Sequence, residues 1–124
     1  MTKIQTSNSK PVYDLEERTF QFAKDVRLFV KELPRTITNQ EDTRQVIRAS
    51  GSVGANYIEA NESLSKKDFI MRIKISRKEA KESAYWLRLI METNCRDTGQ
   101  ANQRLINEAV ELKKILSSII EKSK

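Results

Sequence analysis

Arg48-Ala-Ser-Gly-Ser-Val-Gly-Ala-Asn-Tyr-Ile-Glu-Ala-Asn-Glu62 decides the fold of this chain. The segment lies within a helical pattern yet is crowded with small residues. A glycine in a helix interior costs roughly 1 kcal/mol relative to alanine, so two of them need a compensating contact. Helical spacing supplies one. Ile47, Gly51, Gly54 and Ile58 recur at i, i+4, i+7 and i+11, and Val46, Ser50, Val53 and Tyr57 form the stripe beside them. A helix that is smooth along one line and apolar along the next lets a neighbouring backbone approach closely. The segment is therefore expected to be the close-packed middle of a central helix, the alternative being a flexible glycine loop.

Working outward, three further helices are expected. The first opens at Asp14, with Glu17 three residues on as a capping box. It buries Leu15, Phe22, Val26, Phe29 and Leu33, and stops at Pro34 because proline disfavours a helical residue before it. Thr38-Asn-Gln-Glu41 reads as the box that opens the second helix, which runs to about Glu62. Ser65-Lys-Lys-Asp68 opens the third, which continues to about Thr93, some 28 residues or roughly 42 Å. Arg96-Asp-Thr-Gly99 breaks the pattern, and Asp97 or Thr98 can cap a fourth helix whose stripe is Leu105, Ala109, Leu112, Leu116 and Ile119. Four amphipathic helices with short links predict an all-α, antiparallel up-down-up-down four-helix bundle. Residues 1–12 are polar and are expected to form a disordered tail, leaving 13–124 as a single domain.

The third helix shows three faces at about 100° per residue. Phe69, Ile73, Ser76, Ala80, Ala84, Leu87 and Met91 are expected to face the bundle. Nearly opposite lie Met71, Ile75, Trp86 and Leu89, with Tyr85 at their edge. A helix in a monomeric bundle needs one apolar stripe, so the second is expected to be a subunit interface anchored by Trp86, unless the tail or a loop covers it. The third face is basic. Lys67, Lys74, Lys81 and Arg88 repeat every seven residues, flanked by Arg77 and Lys78. Such a heptad drifts only about 20° around the helix. Ser63–Asp97 holds nine basic and five acidic residues, so this region carries +4 of the formal +6 of the 124-residue chain. Regular cations on one face can track phosphates. They can equally be a solvated face laced by Asp68–Arg72, Lys78–Glu82 and Arg88–Glu92 pairs.

Much chemistry is missing. The chain has no histidine, which removes the commonest general base and the Glu-x-x-His pair of di-iron bundles. Glu59/Glu62 and Glu79/Glu82 have the spacing of paired carboxylates but no further ligand types, so no metal and no cofactor are expected. Arg48 and Glu59 are too far apart on one helix to pair, and each is expected to meet a charge on a neighbouring helix or subunit. Gly51-Ser-Val-Gly54 lacks the Gly-Lys-Ser/Thr of a P-loop, and Ser50 and Ser52 lack a base. Cys95 beside Arg96 is a lone thiol with weak grounds for reactivity. No enzyme activity is expected. There is no apolar run of about 18 residues and no signal-peptide core, so a cytoplasmic protein without membrane contact is expected.

Arg48-Ala-Ser-Gly-Ser-Val-Gly-Ala-Asn-Tyr-Ile-Glu59, then Lys67-Asp-Phe69, then Ile75-Ser-Arg-Lys-Glu-Ala-Lys-Glu-Ser-Ala-Tyr-Trp-Leu87 together resemble the bacterial 23S rRNA-intervening-sequence proteins over about residues 13–120. The departures are Gly51 and Ser52 where bulkier residues are common, and Ala60-Asn61 in place of the usual glycine. The resemblance implies an antiparallel four-helix bundle assembled as a homopentameric ring, sometimes encoded within ribosomal RNA genes. Related accessory proteins of diversity-generating retroelements bind nucleic acid and a reverse transcriptase. It implies no catalytic residue. The leading expectation is a non-enzymatic oligomer that binds structured RNA or DNA through the basic face. The alternative is a protein-interaction scaffold with no direct nucleic-acid contact, leaving a protein partner open.

Overall fold

The computed structural model describes residues 14–94 and 99–124. The expected tail, Cys95 and the proposed caps Asp97 and Thr98 lie outside the described residues. Four helices follow in chain order: α1 (Leu15–Lys31), α2 (Ile37–Asn61), α3 (Lys66–Asn94) and α4 (Gly99–Ser123). Each packs against its neighbours in sequence, and α1 also meets α4, which closes the arrangement of an up-down bundle. The α2–α3 and α3–α4 seams are the extensive ones; the α1–α4 seam is the sparsest.

The helix starts follow from local hydrogen bonding. Asp14 Oδ1 accepts from the Glu17 N–H at 3.0 Å, and Ser65 Oγ accepts from the Asp68 N–H at 3.1 Å. The start of α2 differs from expectation: the cap is Thr36, not Thr38. Thr36 is extended at φ −104°, ψ 165°, and its hydroxyl accepts from the Asn39 N–H at 3.1 Å. Asn39 then serves a purpose that no box with Glu41 provides. Its buried amide donates to the Pro34 carbonyl at 2.9 Å and exchanges two 2.7 Å bonds with the Asn94 amide at the end of α3. That pair ties the α1–α2 turn to α3, which fixes the start of α2 two residues early.

The core is built from Phe22 and Val26 of α1, Val46 and Val53 of α2, Ile73, Leu87 and Ile90 of α3, and Leu105, Leu112, Leu116 and Ile120 of α4. Phe29 in α1 and Leu33 just beyond its end are only half-buried, and Thr19 is 1% exposed instead. Its hydroxyl donates to the Leu15 carbonyl at 2.8 Å, which lets a polar residue occupy a core position. In α4 the stripe ends on Ile120, with Ile119 half-buried.

The bundle face of α3 is turned towards α2 relative to the expected one. Ile73, Ser76, Ala80 and Leu87 are buried as expected, but Glu79, Ser83 and Ile90 join them, while Phe69, Ala84 and Met91 are half-buried. Polar satisfaction permits the turn. Ser76 Oγ donates to the Val53 carbonyl of α2 at 2.6 Å, and Ser83 Oγ to the Glu79 carbonyl at 2.9 Å. Glu79 meets Arg48 of α2, Nη1 to Oε1 at 3.6 Å.

The small-residue line of α2 faces α1. Gly54 is buried, and a Cβ there would lie 2.8 Å from Thr19 Oγ1. Gly51 and Ile47 are half-buried, and Arg27 of α1 donates to the Ile47 carbonyl at 3.3 Å. Ile58, the last residue of the line, is 44% exposed and so lies at the rim of the contact. No helix among the described residues is long and apolar enough to cross a membrane.

Candidate nucleic-acid interface

Of the six expected phosphate contacts on α3, Lys67, Lys74, Lys78, Lys81 and Arg88 are exposed and Arg77 is half-buried. Lys74, Arg77, Lys78 and Lys81 line one cleft of about 320 Å³ between α3 and α4, whose far wall is Lys113 and Ser117 of α4. Arg77 reaches across it, its Nη1 lying 3.5 Å from Ser117 Oγ, at the long limit of a hydrogen bond. Lys67 and Arg88 lie on the same helix outside the cleft, extending the cationic line at its two ends. Lys113 lies outside the cationic line expected on α3. Its signal was present: Lys113 and Ser117 are four apart, each directly after a core leucine of α4.

Only part of this face is neutralised. Lys78 lies 3.8 Å from Glu79 Oε2 and 4.0 Å from Glu82 Oε2. The other pairs expected along α3 do not form among the described residues: Arg72 instead donates to Asn56 Oδ1 of α2 at 3.1 Å, and Arg88 has no carboxylate partner. Lys67, Lys74, Arg77, Lys81 and Lys113 likewise have no ion-pair partner among the described residues. Among the described residues, helical salt bridges therefore neutralise Lys78 alone on this face.

Arg48 has the inter-helix role expected of it. It bridges Glu79 and Glu82 of α3, each at 3.6 Å, while Glu59 is exposed with no ion-pair partner among the described residues. Glu79 is 6% exposed, and its Oε1 accepts no hydrogen bond. The carboxylate is thus held by charge across the seam instead of by a donor at bonding distance.

The second apolar stripe of α3 divides in two. Met71 and Tyr85 are 49% and 57% exposed, whereas Ile75, Trp86 and Leu89 are half-buried. Trp86 packs against the core and meets Tyr85 edge-to-face, ring centroids 5.1 Å apart. A second apolar surface was not expected. Phe20, Ala23 and Leu28 of α1 with Gly51, Ala55 and Ile58 of α2 line a groove of about 480 Å³. Phe20 is 62% exposed in it. Among the described residues no three His, Cys, Asp or Glu side chains are grouped to hold a metal ion.

Fold and surface together define a four-helix bundle with a cationic face along α3. The chain belongs to the 23S rRNA-intervening sequence protein family, whose pattern it matches over residues 13–118. It is similar in structure to a Bacteroides thetaiotaomicron protein of unknown function from the S23 ribosomal protein family. The two share 32% sequence identity with a TM-score of 0.71, over 86% of this chain and 97% of that one. No curated protein matches the sequence.

Proposed function

We propose that this protein is a non-enzymatic, self-associating binder of structured RNA or DNA, and that it holds the phosphate backbone along α3. One observation carries the reading: the cations of the α3 line, Lys78 apart, have no carboxylate partner among the described residues, and α4 adds Lys113 beside them. Charges kept apart from counter-charges within a fold release counterions when they meet a polyanion. The line from Lys67 to Arg88 spans roughly 31 Å along the helix, close to one turn of a duplex.

Self-association follows from the two apolar surfaces. The α1/α2 groove and the α3 stripe are different faces of one chain, so one copy's stripe seated in the next copy's groove is a heterologous contact that can close into a ring. A ring would repeat the cationic line, and weak contacts would sum through multivalency. The same apolar surfaces favour a second reading, a scaffold that docks another protein and leaves the basic face to solvent.

The test is RNA and DNA binding across a salt series. About six phosphate contacts predict a loss of about 10³-fold or more in affinity between low and physiological salt. Lys74→Glu together with Lys81→Glu should abolish binding while leaving helix content unchanged. Binding indifferent to both salt and charge reversal would overturn the assignment. Protein partners that survive nuclease treatment, with no nucleic acid co-purifying beforehand, would favour the scaffold.

A further inference from the structure

The cleft between α3 and α4 has a composition that a surface tracking one strand does not need. Five cationic side chains converge on it from two helices, and no carboxylate or aromatic side chain lines it. Only Lys78 is partly neutralised, by Glu79 and Glu82. A guanidinium offers five donors in a fixed plane. The long contact of Arg77 with Ser117 leaves most of those donors unused and already turned towards α4. No aromatic ring lines the cleft to stack on a base, and five cations with no carboxylate among them match the charge of phosphate better than the neutral edge of a base. Phosphate is what this chemistry recognises.

Size and charge narrow the ligand further. At about 320 Å³ the cleft suits one or a few phosphoryl groups and not a stretch of duplex. An internal phosphodiester brings a single negative charge. A phosphomonoester brings about −1.5 to −2 at neutral pH, and an oligophosphate more. We propose that the cleft binds a terminal phosphate or oligophosphate, clamped between Arg77 of α3 and Lys113 of α4, while Lys67 and Arg88 hold the adjoining backbone. The proposal rests on the nucleic-acid reading for the source of that phosphate, a strand end. Lys113 separates the two because it lies on α4, off the α3 line.

The experiment measures binding of one RNA hairpin carrying a terminal triphosphate, monophosphate or hydroxyl, at fixed salt, with pyrophosphate as a separate ligand. The native protein should prefer the phosphorylated ends by about tenfold or more. Lys113→Ala should remove most of that preference, weakening the phosphorylated ends several-fold more than the hydroxyl end. Arg77→Lys keeps the charge but loses the planar fork, and should reduce the preference several-fold. Lys67→Ala should weaken all three hairpins alike. Equal affinity of the native protein for the three ends would overturn the cleft assignment and leave the nucleic-acid reading standing. Pyrophosphate bound by the native protein and lost in Lys113→Ala, with no hairpin bound, would do the reverse: the cleft would stand as a site for free oligophosphate.

Discussion

At Gly54 one methyl group separates packing from collision. A Cβ there would lie 2.8 Å from Thr19 Oγ1 and 3.1 Å from Thr19 Cβ, and Thr19 is fully enclosed. Gly54→Ala gains roughly 1 kcal/mol of helix propensity but overpacks the α1–α2 contact, so a net loss of about 1–2 kcal/mol is expected in urea unfolding. Pairing it with Thr19→Ala should recover part of the loss, since the two positions share one contact. Gly51 should behave oppositely. Its nearest neighbour is Arg27 Nη2 at 3.2 Å, the end of a flexible chain, so Gly51→Ala should be neutral or stabilising by up to about 1 kcal/mol. The sequence marked both glycines as the line of close approach. It could not rank them, because the rank depends on which α1 side chain faces each one.

Among the helices, α2 and α3 show what local rules leave open. Thr36→Ala should cost about 1 kcal/mol as a lost cap, and Thr38→Ala much less, as thermal unfolding of the two variants would show. Either threonine fits a cap by sequence. Asn39 decides between them, because its amide must reach both Pro34 and Asn94. The α2–α3 seam carries the second prediction. Arg48→Ala leaves Glu79 enclosed with only Lys78 near it and should cost about 1–3 kcal/mol. Adding Glu79→Gln should restore part of that, whereas if the ion pair were incidental the two changes would simply add. Glu79 was invisible as a core residue by composition, since a carboxylate is enclosed only when its partner sits on another helix.

For the whole molecule, the sparse α1–α4 seam closes the bundle through one inter-helix ion pair among the described residues. Arg18 bridges to Glu108 of α4 through two hydrogen bonds, Nε to Oε2 at 2.7 Å and Nη2 to Oε1 at 2.9 Å. The Glu108 hydrogen bond raises the Arg18 pKa above its ordinary value, burial opposing and the charges of Glu108 and Glu111 adding to it. A raised arginine pKa stabilises the fold at every pH below the ordinary arginine value, with the loss confined to strongly alkaline solution. The penalty of Arg18→Ala, about 1 kcal/mol for a part-exposed pair, should therefore be the same at neutral and mildly alkaline pH. Assembly is better probed away from Trp86. That side chain is half-buried against the core, so Trp86→Ala would itself destabilise the fold by about 1–3 kcal/mol whatever the subunit number. Phe20→Glu in the groove and Tyr85→Glu on the stripe leave the core intact. Each should shift the mass in light scattering towards monomer, and a mass unchanged in both would remove these faces from the interface.

Periodicity and capping by themselves determined four helices, their order and the bulk of the core, because an apolar stripe at helical spacing has one stable use in a chain of this length. They also placed the cationic line, since i, i+7 spacing holds a face whatever packs behind it. Tertiary structure alone decided the rest: the turn of α3 that encloses Glu79 and Ser83, the arrival of Lys113 opposite Arg77, and the apolar groove across α1 and α2. Each joins residues far apart in sequence, and their meeting depends on how two helices rotate against each other. That rotation is set by hydrogen bonds such as Ser76 to Val53 and by the volumes that fill the seam, which no pattern within a single helix encodes.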